Sequence, residues 1–133
     1  MNDPRLSTRT RRVWLWLPVI AYITVIFIQS SMAEPPLPAS ITDKQAHFAG
    51  YALLGFLVAR AVSGGLDGRL TWRGALMAIL ITAAYAVSDE FHQSFVPGRD
   101  ADIFDVYADS IGGVAGTVAW WAWGIIWARV RDV

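Results

Sequence analysis

A chain of 133 residues with formal net charge zero offers one domain's worth of core and no basic field to attract nucleic acid. Hydrophobic residues make up 55% and charged ones 17%, below the roughly 25% of soluble domains. The absence of cysteine excludes disulfides, thiolate metal sites and cysteine nucleophiles.

Residues 1–12 are polar and carry Arg5, Arg9, Arg11 and Arg12. The apolar run from Val13 to Ser31 that follows can cross a bilayer, and its single breaker, Pro18, lies near the start. A cleaved signal peptide ending at Ser31-Met32-Ala33 is the competing reading. The run exceeds the usual apolar core of about 7–15 residues, which favours an uncleaved anchor. Pro35, Pro36 and Pro38 then predict an extended loop. Thr42-Asp43-Lys44-Gln45 has the form of a capping box with Thr42 as N-cap.

Further apolar runs span 48–62, 74–87 and 111–128, separated by glycine-containing turns at 63–68 and at Pro97-Gly98. The second and third runs fall short of the roughly 20 residues of a spanning helix. They fit either core helices of a soluble protein or spanning helices with polar ends. Two full-length runs and the girdle of Trp120, Trp121, Trp123 and Trp127 favour the membrane. The expected fold is therefore all-α, a single domain of four transmembrane helices at about 13–31, 43–62, 73–92 and 104–128.

Charge sets the expected orientation. Four spans place Arg5, Arg9, Arg11, Arg12, Arg60, Arg69, Arg73, Arg129 and Arg131 on one side, and only Lys44 and Arg99 on the other. The positive-inside rule makes both termini cytoplasmic, in a multi-pass protein of the cell (inner) membrane.

The non-cytoplasmic ends gather most of the acids and both histidines. Asp43, His47 and Tyr51 follow one face of the second helix. Asp89, His92 and Gln93 share a face of the third, and Glu90 points elsewhere. Asp102, Asp105 and Asp109 form a stripe on the fourth, next to Gly112-x-x-x-Gly116, a spacing that permits close helix contact. A carboxylate within the bilayer costs at least about 2.5 kcal/mol, so Asp109 needs an interior partner: Arg99, Lys44 or a histidine. Bland roles account for several of these groups, such as capping for Asp43, Asp100 and Asp102 and interfacial anchoring for Lys44. As a set, His47, Asp89, Glu90, His92, Asp105 and Asp109 form a candidate acid–base site. Lys44, Gln93 and Arg99 are candidates for binding an anionic ligand. No ligand spacing identifies a metal, and metal and cofactor are both left unknown by the sequence.

Three blocks resemble the VanZ-like family of membrane proteins: Asp43-Lys44-x-x-His47-Phe48-x-x-Tyr51-x-Leu53-Leu54-Gly55, Ser88-Asp89-Glu90-Phe91-His92-Gln93, and Val96-Pro97-Gly98-Arg99 with Asp105-x-x-x-Asp109-x-x-Gly112-x-x-x-Gly116. Many members are expected to carry asparagine where this chain has Asp109. The resemblance implies a multi-pass bundle linked to glycopeptide (teicoplanin) resistance, without a defined reaction. Three functions remain open. The polar end binds or processes an anionic lipid or polyprenyl-linked envelope precursor; or the protein modifies the envelope surface or assists a partner, with the polar cluster as internal glue; or an oligomer relays protons or transports a solute.

Overall fold

The computed structural model describes residues 7–66 and 68–131, the side chain of residue 131 excepted. Arg5 and the Arg131 side chain, two of the expected cytoplasmic cations, lie outside the described residues. Four helices make up the fold: α1 (Thr8–Ser30), α2 (Asp43–Ser63), α3 (Trp72–Gln93) and α4 (Ile103–Arg131). All four are long and apolar enough to cross a membrane. At 1.5 Å per residue, the 21 and 22 residues of α2 and α3 reach the roughly 30 Å of a hydrocarbon core. They do so by enclosing the polar residues at their ends.

Local chemistry sets the boundaries. Thr42 caps α2 reciprocally: its hydroxyl accepts from Gln45 N at 3.3 Å, and Gln45 Oε1 accepts from Thr42 N at 3.0 Å. α2 ends at Gly64, whose φ of +86° is the left-handed conformation that closes a helix at low steric cost. α1 begins at Thr8, five residues before the apolar run, because Ser7 caps it by accepting from Thr10 N at 3.1 Å. Between α3 and α4, Pro97 and Gly98 (φ +86°) occupy the centre of a turn closed by Arg99 N donating to Val96 O at 3.1 Å. That turn aims Arg99.

The helices alternate in direction. Arg11 at the start of α1 donates to Gly64 O at the end of α2, at 2.8 Å. At the other end, Ser30 of α1 meets Asp89 of α3. One end of the bundle therefore holds Arg9, Arg11, Arg12, Arg60, Arg69, Arg73 and Arg129, and the opposite end holds Lys44 and Arg99.

The pair α2 and α4 forms the closest contact. A methyl group added to Gly112 would lie 2.3 Å from Phe48 O, and one on Gly116 would lie 1.8 Å from Ala52 O. Gly55 returns the contact, since a methyl group placed there would meet Gly113 O at 2.3 Å. Glycine is needed here because backbone meets backbone. Small residues continue the core on α3 with Ala75, Ala78 and Ala86, while Leu15, Val19, Leu54, Val58 and Trp120 fill the space between helices. Large apolar side chains such as Ile20, Phe27, Leu80, Ile111, Val118 and Ile126 stay exposed, as befits a protein whose solvent is lipid.

Candidate functional site

The polar residues converge where α2, α3 and α4 meet at the end opposite the arginine-rich one. Four carboxylates are buried there: Asp89, Glu90, Asp105 and Asp109, the last with no exposed surface. Each has different company.

Asp89 accepts three hydrogen bonds: from Ser30 Oγ at 2.6 Å, Tyr51 Oη at 3.1 Å and Gln93 Nε2 at 3.3 Å. One buried carboxylate thus ties together α1, α2 and α3. Asp105 accepts from Lys44 Nζ at 2.8 Å, and the same ammonium donates to Asp102 at 2.7 Å. Asp102 lies just before α4, and its hydrogen bond with Lys44 lowers its pKa below the ordinary carboxylate value. Glu90 points away from Asp89 and accepts from the backbone N–H of Asp102, while its Oε2 meets no donor among the described residues.

Asp109 pairs with His47, one of the partners the sequence left open. His47 Nδ1 lies 3.0 Å from Asp109 Oδ1, and Nε2 lies 3.8 Å from Asp43 Oδ2. With ionised Asp109 as acceptor, Nδ1 is the donor, and in the neutral imidazole Nε2 is left with its lone pair. Asp109 Oδ2 is buried without a partner among the described residues.

Between α1 and α2 a recess of about 90 Å³ opens beside this cluster. Its polar wall includes Asp43, His47, Tyr51, Asp89, Gln93 and Arg99, with Ser30 and Tyr22 from α1 and Pro35 and Leu37 from the proline loop. Arg99 donates through Nε and Nη2 to Gln93 Oε1, a neutral acceptor. Among the described residues it forms no ion pair with a carboxylate, and it lines the recess together with Asp43 and Asp89. Lys44 differs: both of its close partners are anions.

Three blocks of sequence thus meet at one end of a four-helix bundle, and comparison with known proteins bears on them directly. The model of a family described as VanZ/LLP1 matches residues 6–126. The chain belongs to the VanZ/LLP1 family. No curated protein and no solved structure matches it. For this VanZ/LLP1 protein the candidate residues therefore rest on geometry.

That geometry joins His47 with Asp109, Asp89 with Gln93 and through it Arg99, and Lys44 with Asp105. It does not bring His92 into the group. His92 stacks on Phe27 at 4.7 Å between ring centroids, and its Nε2 lies 3.1 Å from Ser31 Oγ, outside the recess wall. A helix turns about 100° per residue, which separates His92 from Gln93 at the same depth. Ser30 was missed as a site residue, because one hydroxyl at the end of an apolar run carries no chemical signature. Tyr51 was visible as a continuation of the Asp43–His47 face.

Proposed function

We propose that this protein binds the anionic headgroup of a lipid or lipid-linked envelope precursor in the recess between α1 and α2, and that His47 with Asp109 serves there as an acid–base pair. One observation carries the reading. Arg99 presents a guanidinium held by a neutral amide, without an ion pair among the described residues, at a polar recess whose wall includes a histidine backed by a buried carboxylate. A guanidinium fixed by a neutral amide keeps its full charge and can offer its remaining N–H groups to phosphate oxygens. Nε2 of His47 is then available to take or give a proton, with Asp109 stabilising the imidazolium.

The asymmetric arginine count supports an outward-facing recess in the inner membrane, with both termini cytoplasmic. The recess then opens at the leaflet where envelope precursors are handled, which accords with the link to glycopeptide resistance that the family resemblance implies.

The test is lipid analysis by mass spectrometry of protein purified in mild detergent, wild type beside Arg99→Gln and His47→Gln. The expected result is an anionic lipid that co-purifies with the wild type and is depleted several-fold in Arg99→Gln. Equal lipid in both would refute the reading.

A second reading has its own support. Asp89 and Asp105 are well satisfied by their neighbours, as internal glue requires. In that case the protein modifies the surface or assists a partner without a ligand, and cells carrying Arg99→Gln or His47→Gln retain its function.

A further inference from the structure

Asp43 and His47 stand one turn apart on α2, and Asp105 faces them from α4. One potential ligand atom from each lies within 4.8 Å of the other two. The set mixes an imidazole with two carboxylates, a combination suited to zinc or manganese.

His47 is presented as a metal-binding histidine is. Its Nδ1 is engaged by Asp109 at 3.0 Å, which leaves Nε2 towards Asp43. A carboxylate bound to the far nitrogen fixes the tautomer and ring orientation of a ligating histidine and raises its basicity. Asp109, on α4 one turn beyond Asp105, contributes no ligand itself.

The charge balance of the cluster is compatible with a cation. Of the four buried carboxylates, only Asp105 touches a lysine or arginine side chain among the described residues. Arg99 is committed to the neutral Gln93, and Lys44 shares its single charge between Asp105 and Asp102. Two buried oxygens, Asp109 Oδ2 and Glu90 Oε2, have no donor among the described residues. These unpartnered buried oxygens leave the cluster able to take up positive charge, as a proton or as a bound cation.

We propose that Asp43, His47 and Asp105 bind one divalent cation of the zinc or manganese type, with Asp109 as the residue that positions His47. Lys44 holds one oxygen of Asp105. Its side chain is half exposed, so it can withdraw onto Asp102 when the ion binds. Three protein ligands leave coordination positions open, and His47 and Asp43 both line the recess. An ion there would draw a headgroup phosphate into the recess, and His47 Nε2 would then serve as its ligand in place of the acid–base role. Only this last use rests on the proposed lipid-binding function; binding of the ion itself does not.

The test titrates chelator-treated full-length protein in detergent with MnCl₂, and separately with ZnCl₂, by calorimetry. The expected result is one saturable equivalent. Asp43→Asn and His47→Gln should each weaken it at least tenfold. Asp109→Asn should weaken it about 10–100-fold, the usual effect of removing such an outer carboxylate, with helicity and elution unchanged. Lys44→Gln should strengthen it, since the competing ammonium is gone.

No saturable ion in the wild type would overturn the proposal, as would an unchanged affinity in both Asp43→Asn and His47→Gln. If the ion fails to bind while lipid is still lost in Arg99→Gln, this inference falls and the lipid-binding function stands. If the ion binds but no lipid is retained, the lipid-binding function falls and the cation site stands.

Discussion

Replacing Gly116 with alanine tests the link from helix packing to the site. Alanine is the better helix former by about 1 kcal/mol, so propensity alone predicts stabilisation. Space predicts the opposite. The added Cβ would lie 1.8 Å from Ala52 O and 2.8 Å from Phe56 N, and contacts under 3.0 Å require something to shift. Both atoms are backbone, so no rotamer change relieves the clash. α4 must retreat from α2 by roughly 1.2 Å before the closest contact reaches 3.0 Å. Overpacking of this kind costs about 1–3 kcal/mol and overrides the propensity gain. The same retreat stretches the bond from His47 Nδ1 to Asp109 Oδ1, which spans the two helices at 3.0 Å. Gly124, on the same helix, is the control, since a Cβ added there would meet nothing within 4 Å. Reversible unfolding in mixed detergent micelles should rank Gly124→Ala at or above wild type and Gly116→Ala below it by about 1–3 kcal/mol. A Gly116→Ala protein as stable as Gly124→Ala would show that α2 and α4 do not need this contact.

Other expectations follow from individual contacts. Tyr51→Phe removes one of three donors to buried Asp89 and should cost about 1–2 kcal/mol in the same unfolding assay. Asp109→Asn keeps the shape of the side chain and removes a buried charge, so the fold should persist while lipid or ion handling at His47 declines. The lowered pKa of Asp102 makes its ion pair with Lys44 a source of stability at pH above the ordinary carboxylate value, lost as acid titrates Asp102 through its lowered native pKa. Lys44→Gln should therefore flatten the acid limb of a stability–pH profile. Trp120→Phe should lose about 1 kcal/mol with the hydrogen bond from Nε1 to Ser63 Oγ.

Much of the architecture was legible from local rules. Thr42 and Gln45 announced the start of α2, and the spacing of Gly112 and Gly116 announced a close helix contact. The shortfall of the second and third apolar runs implies a second helix that begins near Lys44 or His47 and a third that continues through Asp89 and Glu90 towards His92; α2 begins at Asp43 and α3 ends at Gln93. Partner choice was not legible. Periodicity assigns a face to Asp109 but does not say whether Lys44, Arg99 or a histidine stands opposite; the register of α2 against α4 decides that. His47 and His92 look equivalent in sequence, yet one faces Asp109 and the other lies against Phe27. Ser30 contributes the shortest bond to Asp89 from a helix whose composition suggested only an anchor.

The hydrogen bond from Ser30 to Asp89 changes what the first helix means. A segment with the outward marks of a disposable leader forms one wall of the recess, through Tyr22, Ile26, Gln29 and Ser30. Severing the chain after Ala33 would strip Asp89 of its shortest hydrogen bond and open the chamber to acyl chains. The recess is thus built in part by α1, whose side chains belong to its wall as much as those of α2 do.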